Sequence, residues 1–456
     1  MSKPEYNIGI AGISTMGASL ALDIADHGYS VAAYDTDQIA LGALQMDTKG
    51  RSIEATNSLA EFVSLLDVPR TVMILVPAGP PEDRLINALL PHLTSGDMLI
   101  DAANPYFKDT DARAKVLAER GIELLGVGIS GGERGVSIMP GGPRHAYDRV
   151  RPVFESIAAE VNGEPCVAYL GPRSAGHYVE MVHDGIEHGV MQLIAETYDL
   201  MSRGLGMSDV AIQEVYAQWN VSEVGSHLLE SIAGRLRDNN GGIGATLLEL
   251  VFEEANQNGS GWWASLEARD LDVPTPTIDI AVAMQMLSGL EEGRMALRRL
   301  LSRRPIHYSG KPGILIEKIR RALCAGMIVT FAQGMALLRV ASEVYAYDLA
   351  LEDVARIWRG GAIRSQMLQE IYEAFYVQPH LPNLLSDWQF ALQLQSRRDD
   401  LRAVVRLAVE EAIPVPAINA SLAYDVHASV LMQCSGAGHQ ALKTVRNSAQ
   451  AIRRVT

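Results

Sequence analysis

The chain of 456 residues is 48% hydrophobic and 20% charged, with a formal net charge of −15 and a pI near 5.2. That length exceeds what one hydrophobic core organises, so two or three domains are expected. The acidic balance argues against nucleic acid and anionic membrane as partners, because both need a basic face, and no run of 18 or more apolar residues marks a membrane span.

The first residues, Met1 to Asn7, lead straight into a strand pattern and carry no signal-peptide signature. Cys166, Cys324 and Cys434 are widely spaced and odd in number, which points to a reducing, cytoplasmic setting without a metal cluster. Tyr6 to Ala11 reads as a strand. It ends in Gly12-Ile13-Ser14-Thr15-Met16-Gly17, and a helical run follows from Ala18 to His27. Glycines between a first strand and a first helix allow a tight turn and close helix packing, and the helix N-terminus then faces a pyrophosphate. Tyr29 to Tyr34 is a second strand, closed by Asp35, which lies 18 residues after Gly17 (35 − 17). An acid there accepts bonds from the ribose hydroxyls of NAD and repels the 2′-phosphate of NADP, so NAD is favoured over NADP. Thr71 to Val76 and Met98 to Ile100 are further strand-length runs with helical patterns between them, which predicts a parallel, doubly wound sheet ending near Ser174.

Beyond Ala175 the strand signals vanish and long apolar-periodic segments predict helices through residue 432. Asp209, Val215 and Trp219 recur as Asp348, Val354 and Trp358, each 139 positions on (348 − 209), which suggests a duplicated helical unit. The expected organisation is an α/β dinucleotide-binding domain over 1–174, an all-helical domain over 175–432 and a short tail over 433–456. Between His177 and His188 the chain gathers three carboxylates and three imidazoles. Glu180, His183, Asp184, Glu187 and His188 fall at i, i+3, i+4, i+7 and i+8, along one side of a helix. A solvated face favours Lys and Glu over His, so this side is read as lining a site. His183 and Glu187 also have metal-ligand spacing.

Several segments carry a resemblance: Ser130-Gly131-Gly132-Glu133, Ser137-Ile138-Met139-Pro140-Gly141-Gly142, Glu164-Pro165-Cys166-Val167, Gly176-His177-Tyr178-Val179 and Met191-Gln192-Leu193-Ile194-Ala195-Glu196. They resemble the 6-phosphogluconate dehydrogenases of the β-hydroxyacid dehydrogenase superfamily, and the likeness extends to about Asn419. It implies a Rossmann-like domain, a duplicated helical domain, a homodimer and no metal. It also implies a cofactor site at Gly12, Ser14, Met16, Gly17, Asp35, Thr36, Val76, Ala78 and Asn104. The substrate positions it implies are Asn104, Ser130, Gly131, Gly132, Asp184, His188 and Trp262. The departures fall on the chemistry. The family's proton-transferring lysine corresponds to Glu180, its substrate-binding asparagine to Asp184 and its tyrosine to His188, whereas His183 and Glu187 match. Its phosphate-binding lysine corresponds to Trp262 in Gly259-Ser260-Gly261-Trp262-Trp263, and an arginine to Gln285. A lysine beside the nicotinamide is Pro77, and the arginine of members that use NADP is Thr36.

The expected function is an NAD-dependent oxidoreductase acting on a less anionic hydroxy-acid or sugar-derived small molecule. Glu180 or His183 would be the base, Glu187 an acid and Asp184 a substrate ligand, with the tandem Trp262 and Trp263 free to stack on a flatter ligand. The alternatives are a genuine decarboxylating 6-phosphogluconate dehydrogenase of the pentose phosphate pathway with a rearranged site, and an inactive homologue with a binding or regulatory role.

Overall fold

Four-residue apolar runs alternate with helices in the first third of the chain. In the computed structural model, which describes residues 6–132, 135–238, 260–289, 308 and 310–433, each run becomes a strand. Strands β1 (Ile8–Ala11), β2 (Val31–Tyr34), β3 (Ile53–Thr56), β4 (Thr71–Ile74) and β5 (Met98–Asp101) alternate with helices α1 (Thr15–Asp26), α2 (Gln38–Asp47), α3 (Leu59–Leu65), α4 (Pro80–Leu89) and α5 (Phe107–Ala118). Two longer strands, β6 (Glu123–Gly132) and β7 (Gly135–Gly141), and helix α6 (Arg144–Ile157) complete the layer. The sheet order is β3-β2-β1-β4-β5-β6-β7, parallel except for β7, which runs antiparallel to β6. The order reverses between β1 and β4, and ligands of such sheets bind in the crevice beyond those strand ends. The strands are buried on both faces: Met73 joins one apolar layer while Val72 and Ile74 join the other.

The strands expected near 6–11, 29–34, 71–76 and 98–100 form in place. The sequence reading passed over β3, β6 and β7. Ser130-Gly131-Gly132, expected among the substrate positions, is the end of a strand, with Ser130 opposite Ser137 and Gly132 opposite Gly135.

A short hairpin, β8 (Glu160–Val161) with β9 (Glu164–Pro165), leads into the helices. They are α7 (Ala175–Asp199), α8 (Asp209–Trp219), α9 (His227–Asp238), α10 (Ser260–Asp270), α11 (Pro276–Ser288), α12 (Pro312–Val344), α13 (Leu351–Trp358), α14 (Met367–Val377), α15 (Trp388–Glu410) and α16 (Pro416–Gln433). Helices α7 and α12 pack antiparallel through small residues: Gly189 meets Thr330, Gly334 meets Ile186 and Gly326 meets Leu193. Helix α12 is long and apolar enough to cross a membrane, yet 83% of its most apolar stretch is buried inside the protein, so it serves as the spine of the helical core. The duplication is visible in space. Trp219 and Trp358 both end helices, and Ser226 bridges Ser365, its counterpart 139 positions on (365 − 226). The tail after Gln433, with Cys434 and Arg446, lies outside the described residues, as do Glu133 and Gly259.

Glu196 ties the two ends of this domain together. Its carboxylate accepts the backbone N–H of Ala417 at 2.8 Å and of Ile418 at 2.9 Å, capping α16 from α7, and Gln192 donates to it at 2.9 Å. Burial nevertheless pushes this carboxyl up to about 8, against the three donors. Glu196→Ala leaves buried donors unpaired and should lower stability by about 2–3 kcal/mol in denaturant unfolding. A carboxyl raised on folding contributes stability that is complete below its unfolded value and is lost as pH rises through about 8. The unfolding midpoint of the natural chain should therefore fall between pH 5 and 9 more steeply than that of Glu196→Gln; equal slopes would contradict the assignment.

Candidate active site

The site is built where α7 crosses the β6–β7 hairpin. Gly126, Gly128 and Ser130 alternate with Val127 and Ile129, so β6 turns its smallest residues toward α7. A Cβ on Gly128 would lie 2.5 Å from that of Glu180, and one on Gly176 would overlap the carbonyls of Gly126 and Met139. The helix therefore lies directly on the strand backbone. His177, in its first turn, is 1% exposed; its Nε2 donates to the Asp101 carbonyl at 2.9 Å and its Nδ1 accepts from Thr110 at 2.7 Å. Burial lowers this imidazole to about 4, so it stays neutral and structural.

One and two turns on, the expected side chains converge. Asn104 follows β5 with a left-handed φ of 54° and donates from Nδ2 to Glu180 Oε1 at 3.1 Å. Ser130 Oγ lies 3.1 Å from His183 Nε2 and accepts the Ala362 N–H at 3.0 Å. His183 Nδ1 faces three carboxylates: Asp184 Oδ1 at 3.2 Å, Glu187 Oε2 at 3.8 Å and Glu180 Oε2 at 4.0 Å. Ser260, at the start of α10, donates to Asp184 Oδ2. Trp358 sets its edge against the His183 ring, centroids 5.8 Å apart. Glu180 is held well above the usual carboxylate range, first by burial and then by Asp184 and Glu187, with the Asn104 donor opposing. His188 is buried one turn further, against Gly261, where any Cβ would fall inside its ring.

Beneath Asn104 lies a second buried cluster. Arg113 Nη1 pairs with Glu82 at 2.8 Å and lies 3.6 Å from Asp101, whose carboxylate also takes the Ala103 N–H at 3.1 Å. Burial, and then Asp101, push Glu82 up to about 9. The cluster fixes the turn that carries Asn104.

The positions expected to hold the coenzyme gather at the sheet's switch point. Gly12 has a φ of 108° and leaves no room for a Cβ beside the Leu75 carbonyl, while Gly17 sits over the Gly12 carbonyl. Ser14 caps α1 by accepting the Gly17 N–H at 3.3 Å. Asp35 is already engaged: its oxygens accept the N–H of Ile13 at 2.6 Å and of Asp37 at 2.9 Å, so it braces the glycine turn. Val76, Ala78 and the exposed Thr36 lie at the ends of β4 and β2. Met16 and Gly131 line one cavity of about 850 Å³, which joins the coenzyme turn to the end of β6.

The tryptophan pair is divided. Trp263 packs on Tyr106 at 5.3 Å, whereas Trp262 is 42% exposed. Sequence reasoning missed Ser260, Trp358 and the Gly361–Ala362 backbone. The glycine pair Gly360-Gly361 after a helix-ending tryptophan was the available signal, since a Cβ on Gly361 would press on His183 and Ser130 at 3.2 Å.

A doubly wound dinucleotide fold whose switch point opens toward buried titratable groups on an all-helical domain is the architecture of a nicotinamide-dependent oxidoreductase. Residues 7–171 match the NAD binding domain of 6-phosphogluconate dehydrogenase, and residues 176–432 match the 6-phosphogluconate dehydrogenase C-terminal domain. The chain belongs to the 6-phosphogluconate dehydrogenase family. It is 42% identical over 432 residues to the NADP(+)-dependent, decarboxylating 6-phosphogluconate dehydrogenase of Bacillus subtilis, covering 93% of this chain and 91% of the relative. It is 41% identical over 427 residues to the decarboxylating enzyme of Lactococcus lactis, covering 92% and 90%. The 6-phosphogluconate dehydrogenase structure from Plasmodium falciparum, described in apo form and in complexes with NADP+ and with 6-phosphogluconate, matches with a TM-score of 0.86 and 33% identity over 92% of each chain. The relatives lend no support to the preference for NAD read from Asp35.

Gly17→Ala should weaken coenzyme binding by about tenfold or more, because the new methyl drives α1 off the turn. Quenching of protein fluorescence by NADH and NADPH measures this, and unchanged dissociation constants would refute the placement of the turn.

Proposed function

We propose that this protein oxidises the hydroxyl-bearing C3 of a polyhydroxy acid with loss of its carboxylate as carbon dioxide, as the names of its decarboxylating Bacillus and Lactococcus relatives suggest. The observation that carries this reading is the bond from Asn104 to Glu180, which joins the end of a coenzyme-domain strand to the acidic face of α7. A hydroxyl carbon seated beside it lies between the nicotinamide crevice and the titratable groups. A nicotinamide coenzyme held at the Gly12–Gly17 turn would supply a hydride acceptor, and the O–H proton of the oxidised carbon enters the Glu180–His183–Glu187 group. The resulting 3-keto acid loses carbon dioxide to an enol, whose carbon is reprotonated from the same group. Glu187, less buried than Glu180, is the member assigned to exchange that proton.

A second reading has its own support. Glu180, Asp184 and Glu187 crowd one site, and like charges at this range disfavour an anionic ligand. With Trp262 and Gln285 where the resemblance places cations, a substrate less anionic than a phosphorylated sugar acid fits this face better. For the coenzyme we favour NAD over NADP, because the Asp35 carboxylate at the end of β2 repels a 2′-phosphate.

Absorbance at the reduced-nicotinamide band, with 6-phosphogluconate or unphosphorylated gluconate and NAD or NADP in separate cuvettes, tests all three points. Reduction with 6-phosphogluconate supports the first reading, whereas reduction with gluconate alone supports the second. No reduction with either, despite coenzyme binding, rejects both. Glu187→Gln should lower kcat by about 10²–10⁴-fold while leaving coenzyme binding intact. Asp35→Asn should narrow the ratio of NADP to NAD dissociation constants; an unchanged ratio would remove Asp35 from coenzyme choice.

A further inference from the structure

We infer that Glu180, His183 and Asp184 form a divalent-cation site on the floor of the cleft, taking an ion of the Mn²⁺ or Zn²⁺ type. One ligand atom from each lies within 4.8 Å of the others, and all three residues are buried. Donors about 2.0–2.2 Å from a common ion lie roughly 2.9–4.2 Å from one another in tetrahedral or octahedral geometry. Asp184 Oδ1 at 3.2 Å and Glu180 Oε2 at 4.0 Å from His183 Nδ1 fall inside that window, and Glu187 Oε2 at 3.8 Å extends it.

A second observation points to a ligand. Glu180 is only 3% exposed, and its Oε2, turned toward His183, has no hydrogen-bond donor among the described residues. A buried carboxylate oxygen without a donor is costly unless something positive meets it.

A third is the outer layer. The remote atom of each ligand is held from outside the cluster: Glu180 Oε1 by Asn104 at 3.1 Å, His183 Nε2 by Ser130 at 3.1 Å and Asp184 Oδ2 by the Ser260 hydroxyl. Metal ligands are commonly oriented in this way. In the tautomer in which Ser130 Oγ, which also accepts the Ala362 N–H, takes the His183 Nε2–H, the Nδ1 lone pair is available to an ion; in the other tautomer Nδ1–H donates to Asp184 Oδ1 at 3.2 Å, and an ion would replace that proton. Imidazole with two carboxylates is a donor set for borderline divalent ions. The ion's role rests on the oxidoreductase reading, although the site does not. It would offset the crowded carboxylates, admit an acid substrate and polarise its hydroxyl oxygen, leaving Glu187 to receive the proton.

The test is titration of chelator-stripped, full-length protein with Mn²⁺, followed by the paramagnetic resonance signal of the free ion. The expected result is one ion per chain with micromolar affinity, and a nitrogen coupling from the His183 ring on the bound ion. Glu180→Gln and Asp184→Asn should each weaken binding about tenfold or more, and Ser260→Ala by a smaller factor. The wild-type nitrogen coupling keeps the test decisive if a variant fails to fold. No binding of Mn²⁺ or Zn²⁺ below about 1 mM overturns the site, as does binding unaffected by both ligand variants. Coenzyme fluorescence on the same samples separates the two readings: ion binding without coenzyme binding keeps the site and rejects its catalytic role. Coenzyme binding and turnover unaltered by chelator, with no ion bound, do the reverse.

Discussion

Everything in the site depends on how closely α7 lies on β6. Gly126 and Gly128 on β6, Gly141 on β7 and Gly176 on α7 clear that seam: the Gly176 backbone meets the carbonyls of Gly126 and Met139, and the His177 and Glu180 side chains rest on Gly126 and Gly128 where a strand side chain would stand. Had β6 carried ordinary strand residues, the helix would stand several ångströms further out. Glu180 would then miss Asn104, and His183 would miss Ser130. Glycine costs strand stability through lost side-chain packing and backbone entropy. The hairpin offsets this by pairing β6 with β7 along its outer half and with β5 along its inner half.

The electrostatics follow from this seating. Residues on a helix so deeply buried lose water before they gain partners, so Glu180 is raised and His177 is lowered by the same cause. What separates the two is what surrounds them. His177 has an acceptor and a donor and is settled. Glu180 has one donor and two acidic neighbours, and its chemistry is left open to a proton or a cation.

The coenzyme half was legible in the sequence because its signals are local. The glycines at 12 and 17 must sit between a strand and a helix, and they do. The five titratable residues of α7 were legible for the same reason, since helical spacing alone puts them on one side. The hairpin was not, because glycine-rich β6 lacks the β-branched density by which strands are recognised. Its alternation of Gly126, Gly128 and Ser130 carried the information, but only in the light of a partner helix. Asp35 was seen as an acid at a strand end, but its two backbone bonds could not be seen, as they depend on the path of the turn. The tandem tryptophans divide because α10 turns one ring toward Tyr106 and leaves the other at the surface, a matter of tertiary placement. Ser260 and Ala362 reach the site from segments 76 and 178 residues beyond Asp184 (260 − 184, 362 − 184), a distance no local pattern spans.

The seam between α7 and β6 also has a mechanical meaning. A joint made of side chains can slip by a rotamer change, but one made of backbone cannot. The coenzyme layer and the acidic face of α7 are therefore welded at this point, and the span between them is a property of the main chain. Side chains at positions 180, 184 and 188 can then be exchanged over evolutionary time without disturbing the ruler against which they are set. A lineage could rewrite the chemistry of this cleft while keeping the reach from dinucleotide to substrate unchanged.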